Sequence, residues 1–264
     1  MDQERLEELK EWFSQYVAKC YGGNDYVNTN LELKEAHSLR VCDEMRYVTG
    51  HLELSANQNR IAEFIALFHD IGRFVQFNKY RTYNDNKTPS HCLMSIEVLK
   101  EHRLLNSFDK SERIWIEKAI QYHGLKVLPD NLSAESLLFC KLIRDADKID
   151  IYYVVTESYR QYRDEPEKFK LELEFPDRPE CSGHVVDGLL NGERIDYKGL
   201  RTWNDLKLLQ LSWIYDINFI PALVRIKERG FLELMFEFLP KSEEIGKIRK
   251  KIIADINAFT AGSG

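Results

Sequence analysis

The sequence predicts an all-α fold, a helical bundle with a helical C-terminal extension. Three observations predict it. Apolar residues recur at three- and four-residue spacing through most of the 264 residues. Residues that start or stop helices, such as Gly72, Ser90, Gly124 and Ser133, fall at the ends of these periodic runs. Strict alternation, the mark of a strand, is confined to FKLELEF, Phe169 to Phe175.

In chain order, Leu6, Leu9, Trp12, Phe13, Tyr16 and Val17 mark a first amphipathic helix. A second runs from about Leu31 to Val48, with Leu33, Val41, Met45 and Val48 among its apolar positions. A third starts near Ala56 and ends by Gly72, a good stop residue. The segment GRFVQFNKYRTYNDNKTPS, Gly72 to Ser90, turns polar in its second half and reads as a long loop, a length that is often functional. Pro89 and Ser90 open a fourth helix to about His102, and a fifth spans about Lys110 to His123. A sixth begins near Ser133, an N-cap residue, and runs past Asp150 towards Tyr162. The pattern weakens from Asp164 to Lys198, where CSGHVVDGLLNGERIDY reads equally as a short helix or a β-hairpin. Helical periodicity returns over Trp203 to Phe219, Ile220 to Phe238 and Glu243 to Phe259.

At 44% hydrophobic and 30% charged, the chain can bury a sizeable core. A formal charge of -6 gives no sign of an extended nucleic-acid surface or of attraction to an anionic membrane. No apolar run reaches the roughly 20 residues of a membrane span. The acidic, amphipathic N-terminus MDQERLEELKEWF is unlike a signal peptide. The five cysteines, Cys20, Cys42, Cys92, Cys140 and Cys181, form no CxxC and read mostly as buried small hydrophobes. The expectation is a reduced, cytoplasmic protein whose oligomeric state the sequence leaves open.

Several ionisable residues lie on apolar helix faces. His37 lines up with Leu33, Val41 and Glu44; His69 with Ala62, Ile65 and Ala66; His123 with Ile116, Ala119 and Ile120. Asp147 lines up with Cys140, Ile143, Ile151 and Val154. His91 sits in the first turn of a helix, where the dipole disfavours a protonated imidazole and leaves the metal-binding form. One such histidine is an ordinary core residue. Several helices each turning one imidazole or carboxylate inward call for a common partner, because unpaired burial is costly. A divalent cation is an economical one. A mixed N/O set without thiolate suits manganese, iron, cobalt, nickel or zinc, with magnesium and calcium fitting less well. In RDADKID, Asp147 has the most apolar surroundings and Asp145 is the next choice.

The order HSLRV at His37, ALFHDIG at His69 and Asp70, and RDADKID at Asp147 resembles the HD superfamily of metal-dependent phosphohydrolases. The resemblance covers residues 31–155. It implies a helical metal-binding core there; residues 1–30 are expected to pack on it as an N-terminal helix and 156–260 to extend the same domain. It carries ligation of a first metal onto His37, His69, Asp70 and Asp147. In branches with two ions, histidines from the next two helices hold the second, and His91 and His123 stand there. Arg73 departs from the lysine common in the cyclic-dinucleotide branch, and the GYP motif of that branch is missing, so its substrate is not carried over. Lys148 stands where nucleotide-hydrolysing members often place a lysine.

The implied activity is hydrolysis of a small phosphate ester or anhydride, nucleotides included, by metal-activated water at one or two ions. Asp70, Arg73 and Lys148 are the expected catalytic residues, with Arg40, Lys79, Arg81, Lys87 and Arg144 as further sources of positive charge. Two other readings stay open: an HD-type di-iron oxygenase, and a non-catalytic nucleotide sensor.

Overall fold

The computed structural model describes residues 2–165, 167 and 175–261. Among them are twelve α-helices, one 3-10 turn and no strand. The all-α expectation holds. Most of the predicted strand, residues 169–174, lies outside the described residues. The helix-or-hairpin segment is helical, over Gly183–Leu190. No described helix is long and apolar enough to cross a membrane.

The chain divides into two compact units, Met1–Asp150 and Ile151–Gly264. The first holds α1 (Gln3–Cys20), α2 (Asp25–Gly50), α3 (Ala56–Phe68), α4 (Gly72–Tyr80), α5 (His91–Glu101), α6 (Lys110–Tyr122) and the start of α7 (Ala134–Asp164). The expected limit at residue 30 falls inside α2, and the second unit begins at Ile151 rather than at 156.

Local chemistry sets the helix starts. Asp2 caps α1, and capping boxes open α3 (Ser55 with Gln58) and α6 (Asp109 with Glu112). Ser133 Oγ accepts from the Ser136 backbone N–H at the start of α7, as an N-cap there requires. Glu112 also accepts from Asn57 Nδ2 at 2.6 Å, tying the first turn of α6 to that of α3. Leu6, Leu9, Phe13 and Val17 of α1 are buried, and Phe13 packs edge-on against Phe68 and Phe74.

Several expectations are corrected. The long loop begins as a helix: Gly72–Tyr80 is α4, because Ile71, Phe74 and Phe77 recur every third residue and are buried despite the polar residues between them. Only residues 81–90 form a loop. Leu33 is 61% exposed, so the inward face of α2 runs instead through Val27, Leu31, Ser38, Val41, Met45 and Val48, with His37 beside it.

Gly72 does not stop α3. It opens α4 against the first turn of α5, and a Cβ there would collide with the His91 carbonyl oxygen and the Ser95 backbone nitrogen. Ser95 Oγ accepts from the Gly72 N–H at 2.9 Å and donates to the His69 carbonyl at 2.8 Å. The His69–Gly72 turn is thereby stitched to the helix that carries His91.

The second unit holds the rest of α7, then α8 (Gly183–Leu190), α9 (Trp203–Ser212), the 3-10 turn Trp213–Asp216, α10 (Ile220–Glu228), α11 (Phe231–Glu237) and α12 (Glu243–Ala261). Gly230, in the left-handed region at φ 66°, breaks the predicted Ile220–Phe238 helix into α10 and α11. Buried Tyr152 donates to the Gln210 carbonyl, and Tyr159 donates to the Gln210 side chain.

Candidate metal centre

Four imidazoles and two carboxylates meet in the interior of the first unit. His37 comes from α2, His69 and Asp70 from the turn after α3, His91 from the start of α5, His123 from the end of α6, and Asp147 from α7. Every one of the six predicted metal ligands is in this group.

Each imidazole is anchored through Nδ1. His69 Nδ1 donates to the Ala66 carbonyl and His123 Nδ1 to the Ile120 carbonyl, each at 2.8 Å. His37 Nδ1 donates to Asp150 Oδ2 and His91 Nδ1 to Asp85 Oδ2, each at 2.6 Å. A carbonyl or carboxylate only accepts, so in each neutral ring the proton sits on Nδ1 and the lone pair on Nε2. Those lone pairs converge. His37 Nε2 lies 3.2 Å from Asp147 Oδ1 and 3.7 Å from Asp70 Oδ2. His69 Nε2 lies 3.9 Å from Asp70 Oδ2 and 3.8 Å from Asp147 Oδ1. His91 Nε2 lies 3.3 Å, and His123 Nε2 3.7 Å, from Asp70 Oδ1, and the two nitrogens are 3.2 Å apart.

The arrangement has two halves that share Asp70. Its Oδ2 faces His37 and His69, and its Oδ1 faces His91 and His123. Acceptors facing acceptors at this range repel unless positive charge lies among them. His69 Nε2 and Asp70 Oδ1 are buried without a hydrogen-bond partner. These orphaned atoms and the N/O donor set fit a divalent metal ion. Among the described residues the groups able to hold one are His37–His69–Asp70, His69–His123–Asp147 and His91–Cys92–His123. The buried His/Asp cluster is thus able to bind metal, as a metal-dependent enzyme requires.

The electrostatics follow from burial and neighbours. Burial drives the His69 imidazole down to about 4, against the pull of Asp70 and Asp147. Burial also pushes His37 down, but Asp147 and Asp150 outweigh it and its pKa ends raised. Burial opposes ionisation of Asp70, yet Lys34, His69, Arg73 and His91 hold its carboxyl well below the usual range. Asp147 is lowered too, against its burial, chiefly by His37.

Of the predicted catalytic residues, Arg73 reaches the cluster. Its Nε is buried without a hydrogen-bond partner, 3.5 Å from Asp70 Oδ1, while NH1 donates to Gln76 and to the Tyr83 carbonyl. Lys148 is buried, with its ammonium donating to the Arg144 carbonyl of its own helix. Arg144 donates to the carbonyls of His123 and Leu125, clamping the end of α6. Arg40 pairs with Asp150 rather than facing the ligands. Lys79 and Lys87 are exposed, and Arg81 donates to the Phe77 carbonyl. Tyr83 lies beneath two cations, Lys34 at 5.4 Å and Arg73 at 5.8 Å from its ring centre, and its hydroxyl donates to the Asn30 carbonyl. His51, His102 and His184 are exposed, as expected.

Three participants were not among the predicted site residues. Lys34 donates to Asp70 Oδ2 at 2.9 Å; it precedes His37 by one helical turn, which is the signal that was present. Asp150 stands one turn after Asp147 and orients His37. Asp85 sits in the loop and orients His91, and Gln76 of α4 in turn donates to Asp85 at 2.8 Å. Only the fold brings Asp85 to its histidine.

No protein-family model matches the chain, and no curated protein or solved structure does either.

Proposed function

We propose that the first unit is a metal-dependent phosphohydrolase of the HD type, acting on a small phosphate ester or anhydride, with nucleotides within its range. The observation that carries this reading is the convergence of four Nδ1-anchored imidazoles on the two oxygens of Asp70. The H…HD…D order of the sequence supports it. His37, His69, Asp147 and Asp70 Oδ2 would hold one ion, and Asp70 Oδ1, His91 and His123 a second. A divalent ion in such a site supplies Lewis acidity toward a phosphoryl oxygen and an acidified water.

The chain itself supplies the rest. Asp150 and Asp85 fix two imidazoles in the ligating orientation. Lys34 and Arg73 bring positive charge to Asp70 from two sides, and Tyr83 beneath both limits their movement. Their side chains keep 23% and 14% exposure, so they present charge to an arriving anion while held in place. That is the preorganised electrostatic stabilisation phosphoryl transfer needs. Lys148 is the further phosphate contact that the resemblance implies, and its ammonium would have to leave the Arg144 carbonyl to make it.

Elemental analysis of the purified protein, then a phosphatase screen with the metal found, tests the proposal. Release of phosphate from one compound class is expected. Lys34→Ala and Arg73→Ala should lower turnover with metal content intact. Bound iron with a mixed-valence signal and oxygen uptake, without phosphate release, would assign the oxygenase chemistry instead. Tight nucleotide binding with no turnover across several metals would make the protein a sensor.

A further inference from the structure

We infer that Cys92 is a thiolate ligand at the half of the centre formed by His91 and His123, and that it biases this half toward zinc, cobalt or ferrous iron over magnesium. The inference rests on the metal-centre reading above and adds a donor of a different class.

Cys92 follows His91 in the first turn of α5 and is 6% exposed. Its Sγ lies 3.4 Å from His91 Nε2 and 3.7 Å from His123 Nδ1. The latter nitrogen already donates its proton to the Ile120 carbonyl. The meaningful neighbour is therefore His91 Nε2, the ligating atom. Around that nitrogen stand three other donors at nearly equal range: His123 Nε2 at 3.2 Å, Asp70 Oδ1 at 3.3 Å and Cys92 Sγ at 3.4 Å.

A thiol donating one hydrogen bond to His91 would satisfy one of these three approaches and leave two. A shared cation accounts for all three. Donors about 2.0–2.3 Å from one zinc-sized ion, at tetrahedral angles, lie roughly 3.3–3.6 Å from each other. The distances around His91 Nε2 fall in or next to that window. The turn is also held for the purpose. Asp85 accepts from both the backbone N–H and Nδ1 of His91, and Gly72 lets α4 press against the same turn. A coordinating thiol is deprotonated by its metal, and thiolate selects borderline and soft ions. A centre with thiolate in one half and only nitrogen and oxygen in the other would discriminate between two metals.

The test is the absorption spectrum of the full chain loaded with two equivalents of cobalt(II). An intense near-ultraviolet sulfur-to-cobalt charge-transfer band is expected, absent in Cys92→Ser. In that variant one of the two zinc affinities should drop by about tenfold or more, with manganese affinity changed far less. Two cobalt ions bound by the native protein without that band would overturn the inference and leave the metal centre standing, Cys92 being then a hydrogen-bonded thiol. The native spectrum alone decides this, whether or not the variant folds. Failure to bind cobalt at all would overturn both.

Discussion

Replacing Asp150 by asparagine should weaken one metal ion and spare the other. Asp150 is fully buried, and its carboxylate accepts from His37 Nδ1 at 2.6 Å and from Arg40 Nε and NH2 at 2.5 and 3.0 Å. The amide keeps one acceptor oxygen and puts a donor where the other stood. Either His37 or Arg40 then meets a donor. Loss of one charge-assisted hydrogen bond costs about 1.5–3 kcal/mol of stability in the metal-free protein, toward the low end if Arg40, 30% exposed, is the one that turns to water. The effect on metal is more diagnostic. Removing the partner that orients a ligating histidine lowers affinity by about 10–100-fold, or roughly 1.4–2.7 kcal/mol. Only His37 depends on Asp150, since His69, His91 and His123 are held by the Ala66 carbonyl, Asp85 and the Ile120 carbonyl. A chelator-competition titration with zinc, resolving two binding events, should show one affinity reduced in that range and the other within about threefold of native. Urea unfolding of the metal-free protein reads the stability separately. Equal weakening of both events, or of neither, would refute the argument that His37 is set from behind by this carboxylate.

Asp70→Ala should abolish stoichiometric metal at both positions while the far-ultraviolet circular dichroism stays helical, because each of its oxygens faces a different histidine pair; metal retained in the variant would remove Asp70 from the site. Gly72→Ala forces a methyl against the α5 backbone at His91 and Ser95, an overpacking that costs about 1–3 kcal/mol; the urea midpoint should fall, the ion nearer His91 should weaken more than the other, and a native midpoint would mean that α4 and α5 part freely. In the second unit, Asp205 accepts from the backbone N–H groups of Ser182, Arg201 and Thr202 and from the Ser182 hydroxyl. Burial opposes its ionisation, but these donors outweigh it and its pKa is lowered. A lowered carboxylate contributes stability that is fully present above its unfolded value, about 3.9, and is lost as pH falls through the folded one. Asp205→Asn should therefore lower the urea midpoint at pH 7, with the gap from native closing below about pH 4; a gap undiminished at pH 3 would count against this origin.

The helices were legible because their burial is periodic. Leu6, Leu9, Phe13 and Val17 announce α1, and α1 buries just those residues. Where periodicity had to be read through polar letters, it was missed. Phe74 and Phe77 keep helical spacing in α4, but Arg73, Gln76, Asn78 and Lys79 between them look like a loop. Gly72 misled for a related reason. A glycine at a helix end is usually conformational, whereas this one is there for clearance, and the backbone it clears belongs to a helix about twenty residues further on. Leu33 shows the reverse error, an apolar residue at a plausible spacing that ends in solvent.

For the centre, the ligands could be read and their supports could not. A ligand must be an imidazole or carboxylate turned inward, so residue type and helix face narrow the choice to a few positions. The orienting groups face no such restriction. Two of them are backbone carbonyls, Ala66 and Ile120, each three residues before its histidine, and every helix has such a carbonyl. The other two are carboxylates, one in a helix and one in a loop. Yet the distinction matters to how the centre works. His69 and His123 close the ends of their helices and are oriented by the carbonyls those ends leave unsatisfied, so helix termination itself sets them. His37 lies mid-helix and His91 begins one, where no such carbonyl is to hand, and these are the two that require Asp150 and Asp85. Each half of the centre thus pairs one histidine set by its own backbone with one set by a carboxylate side chain. Removing either acid should therefore loosen one half while the other keeps its shape.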